Sequence, residues 1–185
     1  MLAGAAPVFS ADVESGRRKA EPCTACHGRD GNATIPGTPS LAGHPTSYTH
    51  WQLIKFRGGR RRDPQMTPFA APLTDEDMAD LAAYYAAQAT RPRPDRPTLD
   101  PAAREAAEHL AGAHRCVICH GPGLMGQEAV PRLVGQDAQY LRKRLGEYKT
   151  QTASDPDGFM TSAMQALTPQ DIESLARYIA SLAPR

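Results

Sequence analysis

Apolar residues recur at three- and four-residue spacing in two matching stretches, Met78, Leu81, Ala82 and Tyr85, then Ile172, Leu175, Ala176 and Ile179. That period predicts two helices that each bury one face. Each opens on a threonine, Thr74 or Thr168, with an acid at the third helical position, Asp77 or Asp171, and Pro169 takes the favoured first position in the second. These are strong start signals. Tyr48, Leu53 and Phe56 mark a further aromatic and apolar helix, and Tyr140, Leu145 and Tyr148 mark its counterpart. Two more helices are expected over residues 11–20 and 101–113. Between the halves, Pro92, Pro94 and Pro97 crowd a run that suits neither helix nor strand and reads as a linker. The pattern predicts an all-α chain.

The halves repeat each other well beyond their helices. Cys23, Cys26, His27 and Gly28 recur 93 positions later as Cys116, Cys119, His120 and Gly121. Pro39, Leu41 and Gly43 return as Pro131, Leu133 and Gly135, and from Met66 onward the shift becomes 94, pairing Met66 with Met160 and Leu73 with Leu167. The expected division is residues 1–90, a linker over 91–100, and residues 101–185. Gly16 permits a close helix crossing in the first half, whereas His109 at its counterpart places a side chain there.

Composition adds one requirement. Aromatic content is 6% and there are 17 prolines, so each half has a thin core of its own, and a buried apolar group would help to fill it. The net charge is +1, with 10 basic and 9 acidic residues up to Pro92 and 11 of each after it. Neither half carries the basic excess of a nucleic-acid binder. No stretch approaches the ~20 apolar residues of a membrane-spanning helix, although peripheral membrane association stays open. Residues 1–11 are small and apolar without a basic start, and read as a mature tail in preference to a signal-peptide remnant.

The four cysteines form two pairs, each followed directly by histidine: Cys23, Cys26 and His27, then Cys116, Cys119 and His120. This C-x-x-C-H spacing suits covalent heme attachment, in which two thiols bond the vinyl groups and the histidine reaches the iron. A zinc site would want ~15–20 residues between pairs, whereas Cys26 and Cys116 lie 90 apart. A thioredoxin-like pair would want strands around it, and structural disulfides would leave both histidines unexplained.

A low-spin electron-transfer iron needs a second axial ligand, methionine or histidine. Met66 and Met160 are the candidates because both stand seven residues before the leucine that precedes a last helix, in loops bearing proline or glycine. Met78 falls within an apolar stripe and reads as core. Met125 and Met164 are rivals that the repeat disfavours, and His44 and His50 are weak alternatives for the first iron. His44, His50, His109 and His114 all read first as peripheral groups, on the surface or beside the ligands. The basic run from Arg57 to Arg62 either neutralises heme propionates, docks an acidic partner or is simply solvated; Tyr48, Trp51 and Tyr140 either bond propionates or fill core.

On these motifs the chain resembles the class I cytochromes c, and most closely the diheme cytochrome c4 family. The similarity extends from Gly16 to Leu182 and includes Cys-Thr-Ala-Cys-His-Gly-Arg-Asp-Gly-Asn at 23–32, Leu-Thr-Asp-Glu-Asp at 73–77 and Pro-Arg-Leu-Val-Gly-Gln at 131–136. It implies two tandem class I cytochrome c domains related by a pseudo-twofold repeat, two covalently bound hemes c and His/Met ligation. It also implies a periplasmic carrier passing single electrons from a quinol-oxidising complex or dehydrogenase to a terminal oxidase or reductase, without enzymatic chemistry of its own. His44 stands where the family usually has glutamine. The competing readings are a diheme oxidoreductase, such as a peroxidase or sulfur-compound dehydrogenase, and a cytochrome subunit of a larger dehydrogenase.

Overall fold

Threonine-capped helices appear where the pattern places them. In a computed structural model, which describes residues 11–153 and 155–184, Thr74 caps α5 (Asp75–Ala86) and Thr168 caps α10 (Pro169–Ser181), each with a reciprocal bond from the third helical residue, Asp77 or Asp171. The apolar N-terminal stretch lies outside the described residues except for Ala11. The N-terminal half holds α1 (Val13–Lys19), α2 (Thr24–His27), α3 (Thr46–Arg57), α4 (Met66–Ala70) and α5. The C-terminal half holds α6 (Pro101–Ala113), α7 (Cys116–His120), α8 (Ala138–Lys149), α9 (Phe159–Gln165) and α10. Among the described residues there is no strand beyond one isolated bridge, Gln127 to Val130. The same three packings occur in each half: α1 on α5, α3 on α5 and α3 on α4, then α6 on α10, α8 on α10 and α8 on α9.

The two halves make the first of those packings differently. A Cβ at Gly16 would sit 2.1 Å from the Asp80 carbonyl oxygen, so α1 and α5 meet backbone to backbone and only glycine fits. Asp80, 2% exposed, accepts from the Asp12 N–H and the Lys19 ammonium, each at 2.7 Å. Burial by itself would raise the Asp80 carboxyl, but those donors outweigh it and hold the group below its ordinary range. In the C-terminal half His109 is exposed, and α6 instead buries Ala107 and Ala111 in an apolar cluster with Leu141, Leu145, Met164, Leu175 and Ile179.

No helices of the two halves pack directly on each other among the described residues; loops and long side chains join them. The Gln136 amide accepts from the Ser40 N–H at 2.7 Å and donates to the Ser40 carbonyl at 2.9 Å. Arg132, 1% exposed, donates to the Ala42 carbonyl at 3.0 Å and to the Val134 carbonyl. Burial draws it down to about 10, so it stays charged at neutral pH. The proline-rich linker is pinned by Arg93, 4% exposed, which donates to the carbonyls of Ala33, Ile35 and Thr38 and pairs with Asp95 and Asp137. Proline density excludes helix and strand there, yet the arginine between the prolines fastens the segment to both halves.

Candidate functional site

Each C-x-x-C-H motif winds into one short turn of helix. Cys23 closes a 3-10 turn (Glu21–Cys23), and Cys26 and His27 lie in α2; Cys116, Cys119 and His120 all lie in α7. The chain turns away immediately after each histidine through Gly28 (φ +77°) and Gly121 (φ +75°). At Gly28 a side chain would also meet the Asn32 carbonyl oxygen at 2.5 Å, so both left-handed backbone and close approach require glycine.

That turn lets each histidine reach the proline of the repeated Pro-x-Leu segment. His27 Nδ1 lies 2.8 Å from the Pro39 carbonyl and His120 Nδ1 2.9 Å from the Pro131 carbonyl. A carbonyl only accepts, so both rings carry their proton on Nδ1 and keep the Nε2 lone pair free. Burial lowers both pKa values against the opposing pull of those carbonyl bonds, which keeps the rings neutral. A buried, neutral, oriented imidazole is the form an axial ligand requires. Cys23 and Cys116 are half-buried, and Cys26 and Cys119 are exposed. Burial pushes the Cys23 and Cys116 thiols up, opposite to the depressed pKa of a redox-active thiolate. Among the described residues no group of three His, Cys, Asp or Glu converges to hold a metal ion. Two thiols beside a neutral, oriented imidazole in each half fit two hemes c.

The methionine segments are more ordered than their prolines and glycines suggest. Met66 opens α4 and Met160 is second in α9. Pro68 is accommodated because the first turn of a helix has no internal use for its missing N–H, and Asp63 caps α4 by accepting from the Gln65 and Met66 N–H groups. Both methionines are half-buried. Met160 packs against the apolar cluster of its half, while Met66 stands outside the smaller cluster of Ala20, Leu81, Tyr84 and Tyr85. Met78 (0% exposed) and Met164 (5%) are core, and Met125 lies against the same cluster as Met164.

His44 is not peripheral. It is buried between the halves, with Nε2 at 3.1 Å from the Ser40 carbonyl and its ring 4.9 Å from that of Tyr48. Burial first, then the Arg132 guanidinium, bring it down to about 3, so it is neutral. Within the basic run, Arg57 is tied to Asp75 and the Leu73 carbonyl, and Arg61 crosses to the Tyr140 hydroxyl at 3.1 Å. Trp51 is 51% exposed and fills no core. The seam formed by Arg61, Tyr140, Arg132, Gln136 and Arg93 escaped the sequence reading. Its one visible signal is the set of repeat positions where the halves differ, His44 against Gln136 and Ser40 against Arg132.

Two helical domains, each with an attachment motif and a neutral histidine braced by a proline carbonyl, define a c-type cytochrome with two hemes. Residues 104–183 match the cytochrome c family, and residues 12–84 match the family described as cytochrome C oxidase, cbb3-type, subunit III. Cytochrome c4 of Thiocapsa roseopersicina is 39% identical over 183 residues, covering 92% of this chain and 93% of that protein. A thiosulfate dehydrogenase electron acceptor of Stutzerimonas stutzeri strain A1501 is 37% identical over 174 residues, covering 86% and 78%. The crystal structure of reduced recombinant cytochrome c4 from Pseudomonas stutzeri aligns with a TM-score of 0.84 at 33% identity, over 94% of this chain and 100% of that one.

The chain belongs to the cytochrome c4 family. It is an electron-transfer protein with two covalently bound hemes c, and not an enzyme. No described helix is long and apolar enough to cross a membrane.

Proposed function

We propose that this chain is a periplasmic carrier that accepts one electron per heme from a dehydrogenase or quinol-oxidising complex and delivers it to a terminal oxidase or reductase. Residues 1–90 hold one heme and 101–185 the other, joined by 91–100. Cys23 and Cys26 bond the first heme and Cys116 and Cys119 the second. His27 with Met66 would hold the first iron and His120 with Met160 the second. The observation that carries this reading is the matched pair of Nδ1 bonds to Pro39 and Pro131, which leaves Nε2 free in both domains.

Each bound heme supplies a one-electron couple. The residues around it supply orientation: the proline carbonyls stop the imidazoles from rotating and increase their basicity, and a soft thioether on the opposite face favours the reduced state. Denatured protein with fewer than two added heme masses would overturn attachment. In the ferric protein, Met66→Ala or Met160→Ala is expected to remove the long-wavelength thioether absorption of one heme only; both bands surviving in each variant would refute the ligand pairs. Carbon monoxide binding to the reduced wild type would instead indicate an open iron and favour the oxidoreductase reading.

A sulfur-compound dehydrogenase is the favoured donor, because the Stutzerimonas relative is described as the electron acceptor of thiosulfate dehydrogenase. Stopped-flow reduction by such an enzyme with thiosulfate, compared with reduction by a quinol-oxidising complex, tests the choice. Faster reduction by the complex would reverse it.

A further inference from the structure

The segment carrying Met66 is held from the opposite domain. Arg61 lies with its guanidinium 4.5 Å from the centre of the Phe56 ring and donates to Gln52 at 2.7 Å within its own domain. It then crosses to donate to the Tyr140 hydroxyl in α8 at 3.1 Å. Two residues on, one carboxylate oxygen of Asp63 accepts from the N–H groups of Gln65 and Met66 at 3.0 and 3.1 Å. Its other oxygen accepts from the Lys143 ammonium, also in α8, at 3.2 Å. Tyr140 and Lys143 are three residues apart and so share a face of α8. One helix face of the second domain therefore grips residues 61 and 63, just ahead of Met66. At the repeat positions the second domain has Asp155 and Asp157; Asp155 accepts from the Thr161 N–H at 2.6 Å within its own domain, and both carboxylates attract Lys55 of α3.

We infer that Tyr140 and Lys143 are positioning residues for Met66, so that the second domain sets how firmly the thioether of the first domain is held on its iron. The inference rests on Met66 being that ligand. Met66 opens α4 directly after this segment, so its return to the iron after a thermal excursion depends on the ordering of residues 61–66. Freeing the segment raises the entropy lost on each return, and the bond then yields more readily to a competing ligand.

Imidazole titration of the ferric, full-length diheme protein tests this, with the thioether bands followed and assigned through Met66→Ala and Met160→Ala. Lys143 is a surface residue, so Lys143→Met folds; it is expected to let imidazole displace the Met66 band at about threefold lower concentration. Tyr140→Phe combined with Lys143→Met is expected to reach about tenfold, and Lys143→Arg to restore the wild-type value. The Met160 band keeps its wild-type midpoint throughout. Unchanged midpoints in Lys143→Met, or equal shifts at both hemes, overturn the inference while leaving the ligand pairs standing. If Met66→Ala keeps both bands, the ligand reading fails first and takes this one with it.

Discussion

In the N-terminal domain the first helix is pressed onto the last at Gly16 and fastened by Lys19 to Asp77 and Asp80 at 2.8 and 2.7 Å. In the C-terminal domain the same crossing uses Ala107 and Ala111 over a continuous apolar cluster running through Leu141, Leu167 and Ile179. One architecture thus rests on a backbone contact and a partly buried charge cluster in one copy, and on side-chain burial in the other. The difference extends to the methionine segments, since Met160 packs on the apolar cluster of its half while residues 61 and 63, just before Met66, make polar ties to α8. A repeated fold conserves which elements touch; the chemistry of each touch is free to diverge.

The sharpest way to break that comparison is Gly16→Val. A side chain there collides with the α5 backbone, and the expected cost is about 3 kcal/mol or more in the N-terminal domain. Thermal unfolding followed by calorimetry should then resolve an early transition; retention of the wild-type profile would mean that α1 does not sit against α5. Arg93→Ala is expected next, at about 2–3 kcal/mol, because it strips three carbonyls and Asp137 of their buried donor. Small-angle scattering should show the domains further apart, and an unchanged profile would deny the linker its fastening role.

Asp80→Ala follows at about 2 kcal/mol, since the Asp12 N–H and the Lys19 ammonium each lose a nearly buried acceptor. The matching Ser174→Ala in the exposed face of α10 should cost almost nothing, and equal losses would erase the contrast between the domains.

The pH dependence is smaller but has a definite sign. Asp77 is held down to about 2, first by its bond from Lys19 and then by the Thr74 bonds. A carboxyl with a depressed folded-state pKa contributes stability above its unfolded value near 4, and loses it as pH falls toward 2. With solvent screening this amounts to about 1 kcal/mol, concentrated in the N-terminal domain. Melting at pH 7 and pH 3 should show it, and Lys19→Met should flatten it. The smallest effect is expected from His109→Val, within about 0.5 kcal/mol, because that position faces solvent in the copy that needs no glycine.

The helices, their caps and the attachment motifs were legible because they depend on residues close in sequence. Thr74 and Asp77, or Cys116 and His120, meet through three or four residues of backbone, and the 93-residue echo doubled each signal. The methionine segments read as loops but are helical, with Met66 opening α4 and Met160 second in α9, because proline and glycine suppress the helical prior even where the first turn tolerates them. The linker was found by its prolines, while the fastening through Arg93 was not. Its partners, Ala33 and Asp137, lie 60 and 44 positions away, and no local pattern announces them.

Period and motif alone settled an all-helical, two-domain chain with two heme-attachment motifs, since each of those follows from short-range geometry repeated twice. Tertiary structure alone decided which copy packs its first helix on a partly buried ion pair, that His44 is an interface residue, and that α8 reaches across to Asp63. Those depend on how long, charged side chains are desolvated between surfaces far apart in sequence, and desolvation is a property of the assembled molecule.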